Sequence, residues 1–147
     1  MKKNTKGFTL IELLAVIVVL AVIALIATPI VLNLVKEAKV GAARESVTSY
    51  MKAVENSVLK EMVNGKNVTF CETYNIDGKT LSVPKDATNT DKCVKSLTVD
   101  VSGNVPSAGT VKMEADGSNI TAEGVKVDTY GPFTYTQSTG TSDGTKS

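Results

Sequence analysis

The sequence predicts an α+β fold in which one long N-terminal helix packs by its C-terminal half on a small antiparallel β-sheet. Three observations predict it. From Leu13 through Leu32 the only interruptions to apolar residues are Thr28 and Pro29, giving a run of about 20 residues that suits one helical crossing of a bilayer. Val40, Val47, Met51, Val54, Val58 and Met62 then recur at spacings of three, four or seven residues, the period of an amphipathic helix. From Lys66 onward, short Thr- and Val-rich segments separated by turn residues read as strands.

The first element begins with a charge that needs a reason. In Lys6-Gly7-Phe8-Thr9-Leu10-Ile11-Glu12-Leu13, one carboxylate lies inside an otherwise unbroken apolar segment, where it costs several kcal/mol unless paired and by default marks a function. An ordinary secretory signal would have a shorter apolar core and small residues at a cleavage site. Ala24-Leu25-Ile26-Ala27 mimics such a site, yet the apolar character continues through Val35, with Asn33 as a break. A plain membrane anchor explains the length and the lysines but leaves Gly7 and Glu12 without a role.

Gly7-Phe8-Thr9-Leu10-Ile11-Glu12 after a short Lys-rich leader resembles the class III signal of type IV pilins and the related pseudopilins. Pro29 lies where these families often carry a proline in the apolar helix, and an amphipathic stretch follows directly. The likeness covers roughly the first third of the chain. It implies the pilin fold and a cut by prepilin peptidase between Gly7 and Phe8, followed by methylation of the new Phe8 amine. Glycine suits that cut because it lets the backbone lie extended in a protease cleft. It also implies that Glu12 pairs with the N-terminal amine of an adjacent subunit, a pair that sets register more than it adds net stability. The implied partners are further copies of the chain in a helical filament, prepilin peptidase, an inner-membrane assembly platform with its assembly ATPase, and the bilayer before assembly.

The organisation expected along the chain is a leader over 1–7, a membrane and filament-core helix over 8–35, and its amphipathic half over 36–64. A sheet head then covers 65–136, and 137–147 form a flexible tail. A helix from Phe8 to about Asn64 spans on the order of 85 Å. Asn64-Gly65 is a suitable stop, since either residue accepts the left-handed conformation. Pro29 removes a backbone donor, so a kink or loosening is expected there, and Gly41 beside Ala38, Ala42 and Ala43 is a second weak point.

In the head, Asp77-Gly78 joins Thr73–Ile76 to Lys79–Val83 as a candidate hairpin. Further strands are expected over Lys95–Val101, Gly109–Ala115 and Asn119–Asp128, with a short one near Phe133–Thr136. Ser102-Gly103-Asn104, Asp116-Gly117-Ser118 and Tyr130-Gly131-Pro132 are the turns between them. The tail from Gln137 is Ser, Thr and Gly without an apolar anchor, which predicts mobility.

Composition bounds the rest. The 147 residues allow one compact domain beside the apolar segment, and with 5% aromatics and no Trp its core should be aliphatic. Lys2, Lys3 and Lys6 are three of the 16 basic residues; losing them leaves 13 against 15 acidic, a change from +1 to −2. This basic flank predicts a cytoplasmic leader and an exported head. Cys71 and Cys93, the only cysteines, both fall in the exported part, which favours a disulfide closing a 22-residue loop worth roughly 3 kcal/mol; the alternative is two independent buried thiols.

Little points to catalysis or a cofactor. There is no His, no glycine-rich phosphate loop and no four-ligand zinc spacing. Asp86, Asp91, Asp100, Asp116 and Asp128 do not form an EF-hand and read as solvated turn and strand residues. Lys79, Lys85, Lys92, Lys95, Lys112 and Lys126 are scattered among acids, so nucleic acid lacks the basic stripe it would need. Asn67-Val68-Thr69 and Asn119-Ile120-Thr121 fit the N-glycosylation pattern, but ordinary strand positions explain them better. The expectation is a structural subunit, a major pilin. The alternatives are a pseudopilin of a type II secretion or competence system, and a minor pilin with an adhesive or DNA-binding head.

Overall fold

The computed structural model describes residues 7–65, 68–88 and 90–142. Lys2, Lys3, Lys6, Asn67, Asn89 and the end of the expected tail at 143–147 lie outside the described residues. The chain divides into two compact units, residues 1–39 and 40–147. One helix, α1 (Leu10–Asn64, 55 residues), begins in the first unit and ends in the second, and the long helix and antiparallel sheet expected from the sequence are both present.

In the first unit nearly every side chain of α1 is exposed, from Leu13 at 60% to Val35 at 43%, so this all-apolar segment has no cover within its own unit. The helix starts at Leu10 rather than Phe8, because Thr9 takes the capping position. Helical assignment continues through Pro29, where loosening was expected.

In the second unit α1 buries Ala43, Val47, Tyr50, Met51, Val54, Ser57 and Val58. Val47, Met51, Val54 and Val58 were legible from spacing, whereas Val40 and Met62 are only half-buried and Tyr50 fills the largest fully buried position. Gly65 follows the last turn, its N–H still donating to the Glu61 carbonyl at 2.9 Å. It does not adopt a left-handed φ. A glycine is needed there because a Cβ would collide with the Val68 side chain.

The sheet has seven strands: β1 (Thr73–Asp77), β2 (Thr80–Ser82), β3 (Ser96–Thr98), β4 (Ala108–Lys112), β5 (Thr121–Val127), β6 (Tyr130–Thr136) and β7 (Gly140–Ser142). Their order is β3-β2-β1-β4-β5-β6-β7, and every pairing is antiparallel. Alternation places Tyr74, Ile76, Leu81, Leu97, Val111, Ala122, Val125, Phe133 and Tyr135 in one core with the buried face of α1. Two links cross that core edge: the Tyr135 hydroxyl donates to Glu55 Oε1 at 2.7 Å, and the Thr48 and Thr141 hydroxyls lie 2.6 Å apart.

Two expectations are corrected in the last third. Tyr130-Gly131-Pro132 is not a turn but the start of β6, and the chain reverses instead at Asp128 and Thr129, where Asp128 takes a φ of 53°. Aspartate tolerates that conformation better than most side chains. The flexible-tail reading of 137–147 fails over Gly140–Ser142, which pair with Thr134–Thr136. An edge strand with an open neighbour needs backbone hydrogen bonds more than an apolar side chain of its own.

Candidate functional site

The N-terminal site is built by the start of α1. Four backbone N–H groups at a helix start lack intrahelical acceptors. Thr9 and Glu12 satisfy two such groups reciprocally: Glu12 Oε2 accepts from the Thr9 N–H at 2.9 Å and from its hydroxyl at 2.8 Å, while the Glu12 N–H points at Thr9 Oγ1 at 3.4 Å. The Thr9 carbonyl accepts the first helical bond, from Leu13 N–H at 3.2 Å. This is a capping box, with threonine at the cap and glutamate at the third helical position. Its signal, Thr9-x-x-Glu12, stands in the sequence, but reading Glu12 through its charge alone left Thr9 without a role.

The cap leaves Gly7 and Phe8 outside the helix. Nothing lies within 4 Å of where a Gly7 Cβ would stand, and Phe8 is 85% exposed. Pro29 is 17 residues beyond Glu12 on the same helix, about 26 Å along its axis, so the structure does not bring these two together.

Cys71 and Cys93 form a disulfide with their Cα atoms 5.2 Å apart. A second tie runs beside it. The Tyr74 hydroxyl donates to the Val94 carbonyl at 2.7 Å and accepts the Cys71 N–H at 3.0 Å, joining the two cysteine-bearing segments a second time. Burial pushes the Tyr74 phenol pKa up. An open groove of about 590 Å3 lies against the bridge, lined among others by Phe70, Glu72, Lys92 and Glu114.

Three further polar groups of the head are engaged locally. Asp116 Oδ1 accepts the Ser118 hydroxyl at 2.6 Å and its N–H at 2.9 Å, which holds the carboxyl below its ordinary range. Lys112 pairs with Glu123 at 3.1 Å and Lys95 with Asp91 at 3.8 Å. Among the described residues no group of three or more His, Cys, Asp or Glu side chains is placed to hold a metal ion.

Residues 2–28 match the model of the prokaryotic N-terminal methylation motif. The chain carries a class III prepilin signal. That signal is the one shared by type IV pilins and pseudopilins, structural subunits that prepilin peptidase processes and that assemble into filaments. The prepilin match ends within α1, before Pro29, and does not reach the head. No curated protein and no solved structure matches the chain. α1 is long and apolar enough to cross a membrane, in keeping with anchoring there before assembly.

Proposed function

We propose that this chain is the major structural subunit of a type IV pilus. It is cleaved between Gly7 and Phe8, methylated on the Phe8 amine, and drawn from the membrane into a filament core by the segment Phe8 to Val35. The observation that carries the reading is the uncovered apolar surface of that segment directly behind the methylation motif. Such a surface needs lipid or neighbouring copies of itself. In this reading Glu12 neutralises the Phe8 amine of an adjacent copy, and head-to-tail contacts that do not close produce many copies in one filament. The head is a small seven-stranded sheet with no inserted domain among the described residues, which favours a plain structural subunit over a dedicated binding module. The assembly platform and its ATPase act on the membrane-anchored form.

Mass spectrometry of filaments sheared from the native cells tests this. A major pilin appears as the dominant component with an N-terminus of methylated Phe8. A processed chain confined to the membrane fraction, or present in trace, points instead to a pseudopilin or a minor pilin. Strongly salt-dependent duplex binding by the purified chain would point to a DNA-binding minor subunit. Glu12→Val should still be cleaved but yield few filaments; normal yield would remove Glu12 from assembly.

A further inference from the structure

Between Phe8 and Val35 there are four polar side chains, Thr9, Glu12, Thr28 and Asn33. Three are satisfied within the chain. Thr9 and Glu12 bind each other, and the Thr28 hydroxyl donates to the Ala24 carbonyl at 2.6 Å. The Asn33 carboxamide, with two donors and an acceptor, is exposed and has no partner among the described residues. The same stretch holds one acceptor that lacks its helical donor. Pro29 has no N–H, so the Leu25 carbonyl four residues earlier loses its intrahelical bond, and the Thr28 hydroxyl serves Ala24 rather than Leu25.

Before assembly the Asn33 amide is not a large burden, whereas the Leu25 carbonyl, about 26 Å beyond Phe8, already lies within the hydrocarbon core without a donor. Asn33 is 25 residues beyond Phe8, about 38 Å along the helix, which exceeds a hydrocarbon core of about 30 Å and leaves the amide among headgroups and water. Packing the segment among copies of itself removes that water. An amide buried without a partner then costs roughly 2–7 kcal/mol, and the unbonded carbonyl is penalised in the same way. Each copy brings the partner that the other lacks.

We propose that the Asn33 carboxamide of one subunit donates to the Leu25 carbonyl of a neighbouring subunit, and that this bond sets the axial register of the core helices. The inference rests on the filament reading above. Asn33 and Leu25 are eight residues apart, so the bond requires neighbours displaced by about 12 Å along the helix axis, against about 6 Å for Glu12 on an adjacent Phe8 amine, and it therefore joins a different pair of neighbours in the filament. A single amide in an apolar helix interface is a known means of selecting one register among many.

Two measurements on full-length chain in filament-producing cells test it. First, chains carrying Leu25→Cys and Asn33→Cys are co-expressed with an excess of the parent chain, whose own Asn33 carboxamides keep the register, and the sheared filaments are treated with a short thiol-specific cross-linker. A mixed dimer should form strongly, whereas Leu20→Cys with Asn33→Cys, displaced by a further five residues, should give little. Second, Asn33→Leu should lower the assembled fraction about threefold or more. In a Pro29→Ala background, which gives the Leu25 carbonyl its helical donor back, the same substitution should have a smaller effect. Filaments that form with no 25–33 cross-link, or an Asn33→Leu effect equal in both backgrounds, overturn the inference while leaving the pilus reading intact. A wild-type chain that is never processed or found in filaments overturns both.

Discussion

Glu12 caps the helix through Thr9, and in the proposed filament it has a second duty with a different chemical requirement. As the third residue of a capping box it needs an acceptor oxygen, which glutamine also supplies; as a counter-ion for an amine it needs a negative charge. Glu12→Gln therefore separates them. The expected outcome is a helix start as well ordered as in the parent, read by amide exchange at residues 10–13 in micelles, together with loss of filament yield. Normal yield from Glu12→Gln would assign the carboxylate to capping alone. A second residue reports through pH. Burial, with the neighbouring Glu55 carboxylate, pushes the Tyr135 phenol from 10.0 up to about 12. A phenol raised by folding contributes stability that is complete below the unfolded value and is lost as pH rises through the folded one. Thermal melts of the full chain should thus hold steady up to pH 10 and fall between pH 10 and about 12. Tyr135→Phe should flatten part of that fall, with the buried Tyr50 and Tyr74, both also raised, supplying the rest.

At the scale of elements, the helix and most strands were legible because burial repeats with their own periods: α1 ends at Asn64 as expected, and the β1–β2 hairpin turns at Gly78. β7 was not legible, since Gly140, Thr141 and Ser142 are held by the backbone of β6 and by the Thr48 hydroxyl, neither of which a local pattern displays. Gly65 was found for the wrong reason, its constraint being the approach of Val68. Gly117 is a sharper case of such an approach. Its φ is +78°, and a Cβ would meet Met62 Cε, Val58 Cγ1 at 2.6 Å and Phe70 Cε2 at 3.0 Å, where the β4–β5 turn presses on the end of α1. Gly117→Ala should cost about 2–4 kcal/mol, whereas Gly124→Ala, with a φ of +65° but open space, should cost about 1 kcal/mol. Comparing the two melts separates crowding from backbone strain. The disulfide and the Tyr74 hydroxyl fasten the same two segments, so their removal should not be independent. Reduction alone should cost roughly 3 kcal/mol, and Tyr74→Phe about 1–3 kcal/mol by leaving the Cys71 N–H and Val94 carbonyl unpaired. A reduced Tyr74→Phe chain should lose more than the sum of the two, which a double-mutant cycle measures.

At the scale of the whole molecule, the N-terminal segment and the head give different amounts of information in their sequence. Residues 7–13 are read as a fixed constellation, so the prepilin signal was legible from a few letters, while the sheet announces only its architecture and nothing of what it meets outside. The unoccupied hydrogen-bond capacity of Asn33 lay between these cases: the residue is visible in the sequence as a break, but its significance depended on finding Thr9, Glu12 and Thr28 already satisfied. Processing should also leave a signature in bulk charge. Loss of Lys2, Lys3 and Lys6 takes the formal balance from +1 to −2. The cleaved form should therefore focus clearly below the precursor, whose isoelectric point is about 7.7, and N-methylation should add no further shift because the amine stays basic. Two species of equal isoelectric point would mean that the leader had not been removed.

The order in which the head is synthesised has a consequence of its own. The stripe from Val47 to Val58 leaves the ribosome first, while β5, β6 and β7, which help to cover it, are made last. The contact between Thr48 and Thr141 joins residues 93 positions apart. A nascent head therefore carries an uncovered apolar ridge until its final residues arrive, so a truncated or stalled chain is marked by that ridge. Limited proteolysis should therefore cut a truncated chain faster than the finished one.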